Sequence, residues 1–144
     1  MKLFTIGFTK KSAAQFFALL GSSGATALVD TRLNNVSQLA GFSKRDDLEF
    51  FAREICNMTY RHDVRLAPTS ELLQAYKKGA WSWSEYEERY VGLIRGRRIE
   101  TELKRVDFDN VVLLCSEATA ERCHRRLAAE YLAAAWGGVE ITHL

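Results

Sequence analysis

Five consecutive apolar residues, Val111-Val112-Leu113-Leu114-Cys115, constrain the fold of this chain more than any other segment. A strand with one wet face alternates apolar and polar residues, whereas a strand covered on both faces needs an unbroken apolar run. The run therefore reads as a central parallel strand with helices above and below it. Neighbouring segments agree. Lys2 to Ile6 reads as a first strand closed by Gly7, and Ser12 to Leu20 as a helix with Ala13, Phe16, Phe17 and Leu20 on one face, stopped at Gly21. Ala25 to Val29 is a short β-prone run ending at Asp30, Thr31 and Arg32, followed by a polar loop through Asn34, Asn35 and Gly41. Ser43, spaced from Asp46 as in a capping box, is expected to open a helix burying Leu48, Phe51, Ala52 and Ile55. Met58 to His62 reads as a third strand, and Thr69 or Ser70 caps a short helix through Tyr76, ended by Gly79.

Ser82 and Ser84, each with a glutamate three residues on, open a longer helix towards Val106, with breaks expected near Gly92 or Gly96. After the central strand, Thr119 to Trp136 reads as a helix with Leu127, Ala128, Tyr131, Leu132 and Ala135 inward. Gly137-Gly138 then leads to a last strand, Val139 to His143. Alternation of strands and helices predicts an α/β fold, a single domain over residues 1–144. Its largely parallel open sheet of about five strands would be flanked by helices in a Rossmann-like three-layer arrangement. With 144 residues and a 47% hydrophobic fraction, the chain supplies one core and not two. A formal charge of +2 is far from that of a dedicated nucleic-acid binder, the three cysteines are odd in number, and no apolar run is long enough to span a bilayer. A cytoplasmic location, without membrane contact, is the expectation.

Reactive side chains fall at the predicted carboxyl ends of strands: Thr9, Asp30, Arg32, His62, Cys115, Glu117 and His143. In an open parallel sheet those ends share one edge, where ligands bind. The densest group is Cys115-Ser116-Glu117 followed by Arg122-Cys123-His124-Arg125-Arg126. Three arginines and a histidine near a helix N-terminus oppose the helix field, an arrangement that an anion over the free amides would relieve. Solvated or ion-paired arginines are the plain alternative. Cys123, in the expected first turn, is the candidate nucleophile because the helix field and neighbouring arginines lower a thiol pKa, while Cys115 reads first as a buried apolar residue and second as a reactive one. His124 would exchange a proton and Glu117 would orient it or serve as the acid. Arg125 and Arg32 would hold an anion, Asp30 would orient Arg32 or a ligand hydroxyl, and His62 joins the ligand-binding set.

Six residues separate Cys115 from Arg122, one too many for the cysteine–arginine cradle of a phosphatase. Cys115, Cys123 and His124 with His62 or His143 lack zinc-finger spacing, so no metal site is expected, and Cys56 reads as core. A second basic stretch, Arg95 to Arg98 with Lys104 and Arg105, lies near Trp81, Trp83, Tyr86 and Tyr90. That combination suits nucleic acid, but Tyr86, Tyr90 and Ile94 also have the spacing of a buried helical stripe.

Phe4-Thr5-Ile6-Gly7, Leu28-Val29-Asp30-Thr31-Arg32 and Leu113-Leu114-Cys115-Ser116-Glu117 with Cys123-His124-Arg125-Arg126 together resemble the family called domain of unknown function 488. Leu39 to Lys44, Leu66 to Thr69, Trp83 to Tyr90 and Ile141 to Leu144 extend the resemblance over the whole chain. It implies a compact α/β domain marked by the Cys-x-Glu and Cys-His-Arg signature, and it implies no reaction. Phe8 and Thr9 follow Gly7 where many members carry His and Ser. Three readings remain open: a small enzyme acting on a phosphate-bearing or nucleotide-like ligand, a non-catalytic module binding a nucleotide or nucleic acid, and a structural or partner-binding domain in which the signature fixes the last helix against the sheet. The sequence names neither a cofactor nor an oligomeric state.

Overall fold

The computed structural model describes residues 1–36 and 40–144; Leu39, at the start of one resemblance segment, lies outside them. Five strands, β1 (Lys2–Gly7), β2 (Ala27–Asp30), β3 (Thr59–His62), β4 (Val111–Cys115) and β5 (Glu140–His143), form one all-parallel sheet in the order β3-β2-β4-β1-β5. The helices are α1 (Ala13–Ser23), α2 (Arg45–Cys56), α3 (Ser70–Lys77), α4 (Trp83–Gly96), α5 (Ile99–Glu102) and α6 (His124–Trp136). The apolar run is the central strand, and all five of its residues are buried.

Alternation along the strands sends side chains to both faces of the one sheet, where each face packs its own apolar layer against helices. Phe4, Ile6, Leu28, Val112 and Leu114 meet Phe16, Phe17 and Leu20 of α1 and Leu48 and Ala52 of α2. Leu3, Val29, Val111 and Leu113 meet Tyr86, Tyr90 and Ile94 of α4, Ile99 of α5 and Leu127 and Leu132 of α6. The chain thus steps β1→β2→β3 over one face and returns β3→β4→β5 over the other, as crossovers of one hand require. Beyond its carboxyl end β4 continues to α6 on one face, while its neighbours β1 and β2 continue to α1 and α2 on the other. The chain parts on both sides of β4, and such switch points leave a crevice.

Several helix ends differ from expectation, each for a local reason. The capping box lies at Ser12 and Gln15, where both reciprocal bonds form. Ser43 instead closes a 3-10 turn with its hydroxyl on the Ala40 carbonyl, and α2 begins at Arg45. Ile55 remains 59% exposed, because only Leu48 and Ala52 of α2 reach the interior. The long helix stops at Gly96, after which Arg98 adopts φ 54° and starts the short α5. Residues 119–123 are not helical; α6 starts at His124 with Cys123 as its N-cap, and Ala135 is exposed. Thr69 and Ser82 do cap α3 and α4.

Candidate functional site

The parallel register lines the strand ends up on one edge: Gly7 pairs with Cys115, Asp30 with Leu114 and His62, and Thr5 with His143. Gly7 is required there. A Cβ on it would run into the Glu117 carbonyl group, whose carbon lies at 2.7 Å, and would approach Arg125 Nη1 at 2.9 Å. The segment after β4 therefore passes directly over β1, pinned by Thr9 N–H to the Ser116 carbonyl at 3.1 Å and Arg125 Nη1 to the Glu117 carbonyl at 2.8 Å.

By strand alternation Cys115 points to the α4/α6 side. His124, the first residue of α6, brings Nδ1 to 3.5 Å from Cys115 Sγ, while its Nε2 lies 2.9 Å from the Thr31 carbonyl and 3.1 Å from Thr31 Oγ1. A carbonyl only accepts, so Nε2 carries the hydrogen. Thr31 Oγ1 donates its own hydrogen to the Leu114 carbonyl at 2.8 Å and is left as a second acceptor. Nδ1 therefore faces the sulfur as the nitrogen able to take or return a proton.

The two thiols are unequal in the opposite sense to the expectation. Cys115 is held below the ordinary thiol pKa by a hydrogen bond from Cys123, against desolvation, with help from the Ser116 amide and the Arg125 charge. Cys123 is pushed well above it, first by donating that hydrogen bond and then by burial. As an N-cap residue with its side chain turned inward, Cys123 makes no cap bond and gains little from the helix amides. Arg125 is 1% exposed and has no carboxylate partner among the described residues, and its Nε is unbonded. A buried guanidinium without an acid is costly, and the Arg125 charge is one of the influences that lower the pKa of the Cys115 thiol.

Around this pair opens a cleft of about 270 Å³ lined by Cys115, Cys123 and His124, with Tyr76, Trp83 and Tyr86 along one wall and Arg32, Lys77, Glu117 and Arg122 among its polar groups. Trp83 stacks on Tyr86 at 5.3 Å, and Tyr86 on Tyr90 at 6.3 Å. Arg32 is 3% exposed. Its Nε and Nη2 hold the Asp30 carboxylate at 2.9 and 2.8 Å, and Nη2 also bonds the Ser43 carbonyl at 2.8 Å. Nη1 is buried without a partner among the described residues. Asp30, fully buried, also accepts from Tyr60 at 2.6 Å. Arg32 and Tyr60 hold its carboxyl below the usual range although burial opposes this.

Cys115, Cys123 and His124 thus form one cluster. The profile described as domain of unknown function DUF488 matches residues 12–132. This chain belongs to the DUF488 family. No curated protein and no solved structure matches it.

The candidate residues of this DUF488 chain separate by position. Cys115, Cys123, His124, Glu117 and Arg32 line the cleft; Asp30 supports Arg32 from behind. Arg125 is an interior staple, with its Nη1 on the Glu117 carbonyl. His62 lies outside the cleft and donates from Nε2 to the Arg32 carbonyl at 2.5 Å. His143 bonds Thr5 Oγ1 through Nδ1 at 2.7 Å. The donor atoms of Cys115, Cys123 and His124 lie within 4.8 Å of one another, close enough to face a single ion. Neither His62 nor His143 belongs to that trio: each is engaged elsewhere, His62 with the Arg32 carbonyl and His143 with Thr5.

Of the remaining arginines in the signature, Arg126 is engaged by Glu130 and Glu87 at 3.0 and 3.3 Å, while Arg122 is exposed at the cleft. In the second basic stretch, Arg97 holds the Arg65 and Ala67 carbonyls and Arg105 the Gly137 carbonyl, so both act as staples. Tyr86, Tyr90 and Ile94 are the buried stripe of α4. Cys56 is half-buried at the edge of the α1/α2 core. Among the described residues, no helix is long and apolar enough to cross a membrane. Sequence reasoning missed the roles of Thr31, Tyr60 and Tyr76, and it placed Trp83 and Tyr86 with the second basic stretch rather than at this cleft. The Thr31 carbonyl belongs to the backbone and leaves no sequence signal, whereas a tyrosine two residues before His62 on an edge strand was a usable one.

Proposed function

We propose that the chain is a small enzyme acting on a phosphate-bearing or nucleotide-like ligand, with Cys115 as nucleophile and His124 as its proton partner. The observation that carries this reading is the alignment of Cys115 Sγ, His124 Nδ1 and the Thr31 carbonyl behind Nε2, set at the floor of the cleft. A nucleophile, a base and a group fixing the tautomer of that base are the parts covalent catalysis needs. In this reading Cys123 holds the Cys115 sulfur through its S–H, and the Arg125 charge favours the thiolate. The Arg32 Nη1 hydrogens and Arg122 receive the anion, and Trp83 with Tyr86 supports a planar group. Asp30 and His62 are positioning residues for Arg32. Glu117, exposed at the rim, is the group available to protonate a leaving atom.

The test pairs binding with thiol protection. Inorganic phosphate and a series of nucleotides are screened by thermal shift at low salt against the parent and Arg32→Lys, and any binder is tested for slowing of Cys115 alkylation. The expected result is a ligand that raises the parent Tm, shifts the variant less and shields Cys115. No shift and no shielding by any phosphate compound would contradict the reading. The aromatic wall also favours a second reading, a non-catalytic nucleotide or nucleic-acid module. Oligonucleotide binding that falls steeply with salt, without turnover or Cys115 shielding, would select it.

A further inference from the structure

Cys123 has no assigned chemistry in the proposed reaction beyond its hydrogen bond, yet it is a second thiol at the floor of the same cleft. We propose that Cys115 and Cys123 form a reversible disulfide when the cleft is exposed to a hydroperoxide, with Cys115 as the attacking thiol and Cys123 as the resolving one. The inference rests on the reading of Cys115 as a nucleophile and adds an oxidative modification to that site.

Three observations carry it. The Sγ atoms lie within 4.8 Å of each other, in one cluster with a ring nitrogen of His124. Cys123 sits where irregular backbone meets α6, and its side chain caps no helix amide, so turning it towards Cys115 breaks no cap bond. Both residues line the cleft, which is the route by which a small oxidant would reach two thiols that are 6% and 2% exposed. The half-buried Cys56 is held apart, with its Sγ on the Phe17 carbonyl at 3.5 Å.

The chemistry balances in two steps. The Cys115 thiolate attacks the terminal oxygen of the hydroperoxide; an S–O bond forms with that oxygen keeping its hydrogen, the O–O bond breaks, and the leaving alkoxide takes a proton from solvent to become the alcohol, so sulfur is oxidised by two electrons as the peroxide is reduced. Cys123 then attacks the sulfenic sulfur; the S–S bond forms, the S–O bond breaks, and the departing hydroxide takes the Cys123 proton as water. An external dithiol reverses the bond by exchange. The oxidised form has no thiolate at position 115 and is inactive until reduced.

The experiment treats Cys56→Ser and Cys56→Ser/Cys123→Ser proteins with hydrogen peroxide at near-equimolar dose, then alkylates under denaturing conditions and reads intact mass and peptide maps. The expected result in the first protein is loss of both alkylatable thiols with loss of two hydrogens in mass, a peptide joining Cys115 to Cys123, and full recovery with dithiothreitol. In the second, treated with peroxide in the presence of dimedone, it is a dimedone adduct on Cys115. Sulfinic acid on Cys115 without a cross-link would overturn the pair, as would a stoichiometric bound metal shielding both thiols. Fast Cys115 alkylation below the usual thiol range with no disulfide would overturn the pair alone and leave the nucleophile reading standing. A Cys115 that alkylates like an ordinary thiol and resists peroxide would overturn both.

Discussion

Asp30→Asn is expected to be among the most destabilising conservative substitutions at the cleft. The carboxylate accepts from the Arg32 amide at 3.1 Å, Arg32 Nε and Nη2 at 2.9 and 2.8 Å and Tyr60 at 2.6 Å, and it is fully buried. Asparagine turns one of those acceptor oxygens into a donor and leaves the Arg32 charge buried without its counter-ion. Removing one partner of such a pair costs about 3–5 kcal/mol. With a urea m-value of about 2 kcal/mol/M, the midpoint should fall by roughly 1.5–2.5 M. Equilibrium urea unfolding at neutral pH, followed by tryptophan fluorescence, reads this directly. The double variant Asp30→Asn/Arg32→Met should recover part of the loss, giving a coupling near the top of the ~0.5–3 kcal/mol range for contacting residues. A single-variant cost below about 1 kcal/mol, or a cycle additive within about 0.5 kcal/mol, would refute the reasoning.

The pH dependence carries the same sign: folding holds the Asp30 and Asp63 carboxyls low, through Arg32 and Tyr60 for the first and Arg65 for the second. Their contribution is fully present above the unfolded carboxylate range near ~4 and is lost as pH falls through the lower folded values, so the parent should lose more stability on acidification than Asp30→Asn. Gly7→Ala should lower Tm by several degrees and raise the Cys115 thiol pKa, because the Glu117 carbonyl and Arg125 must move to admit a methyl group; an unchanged Tm and thiol pKa would contradict this. Tyr90→Phe removes the bond from its buried hydroxyl to the Leu66 carbonyl at 2.7 Å and should cost about 0.5–1.5 kcal/mol in the same urea assay.

The layer order was legible because it rests on strand-scale patterns: Val111 to Cys115 has no polar residue and must be central, and the alternation of elements forces a parallel sheet. The same logic placed Asp30, His62 and Cys115 on one edge. It failed at α6, where Thr119 to Arg122 have nothing in their pattern against a helix. The covered Gly7 requires the chain to stay irregular there and cross β1 before turning. That displacement of the helix start makes Cys123 an inward cap residue and puts the favourable charges on Cys115. Arg125 and Arg126 have identical side chains one residue apart, yet one is a core staple and the other is paired to Glu130. Only the rotation of the helix distinguishes them, and a local charge pattern does not encode it.

The most direct test of the central claim is the pH dependence of Cys115 alkylation by iodoacetamide, followed by peptide mapping, in the parent, Arg125→Leu and His124→Ala. The account predicts a midpoint below the ordinary ~8.5 of a free thiol, raised in both variants, with Cys123 unreactive over the same range. A parent midpoint at or above ~8.5, or faster labelling of Cys123 than of Cys115, would contradict it.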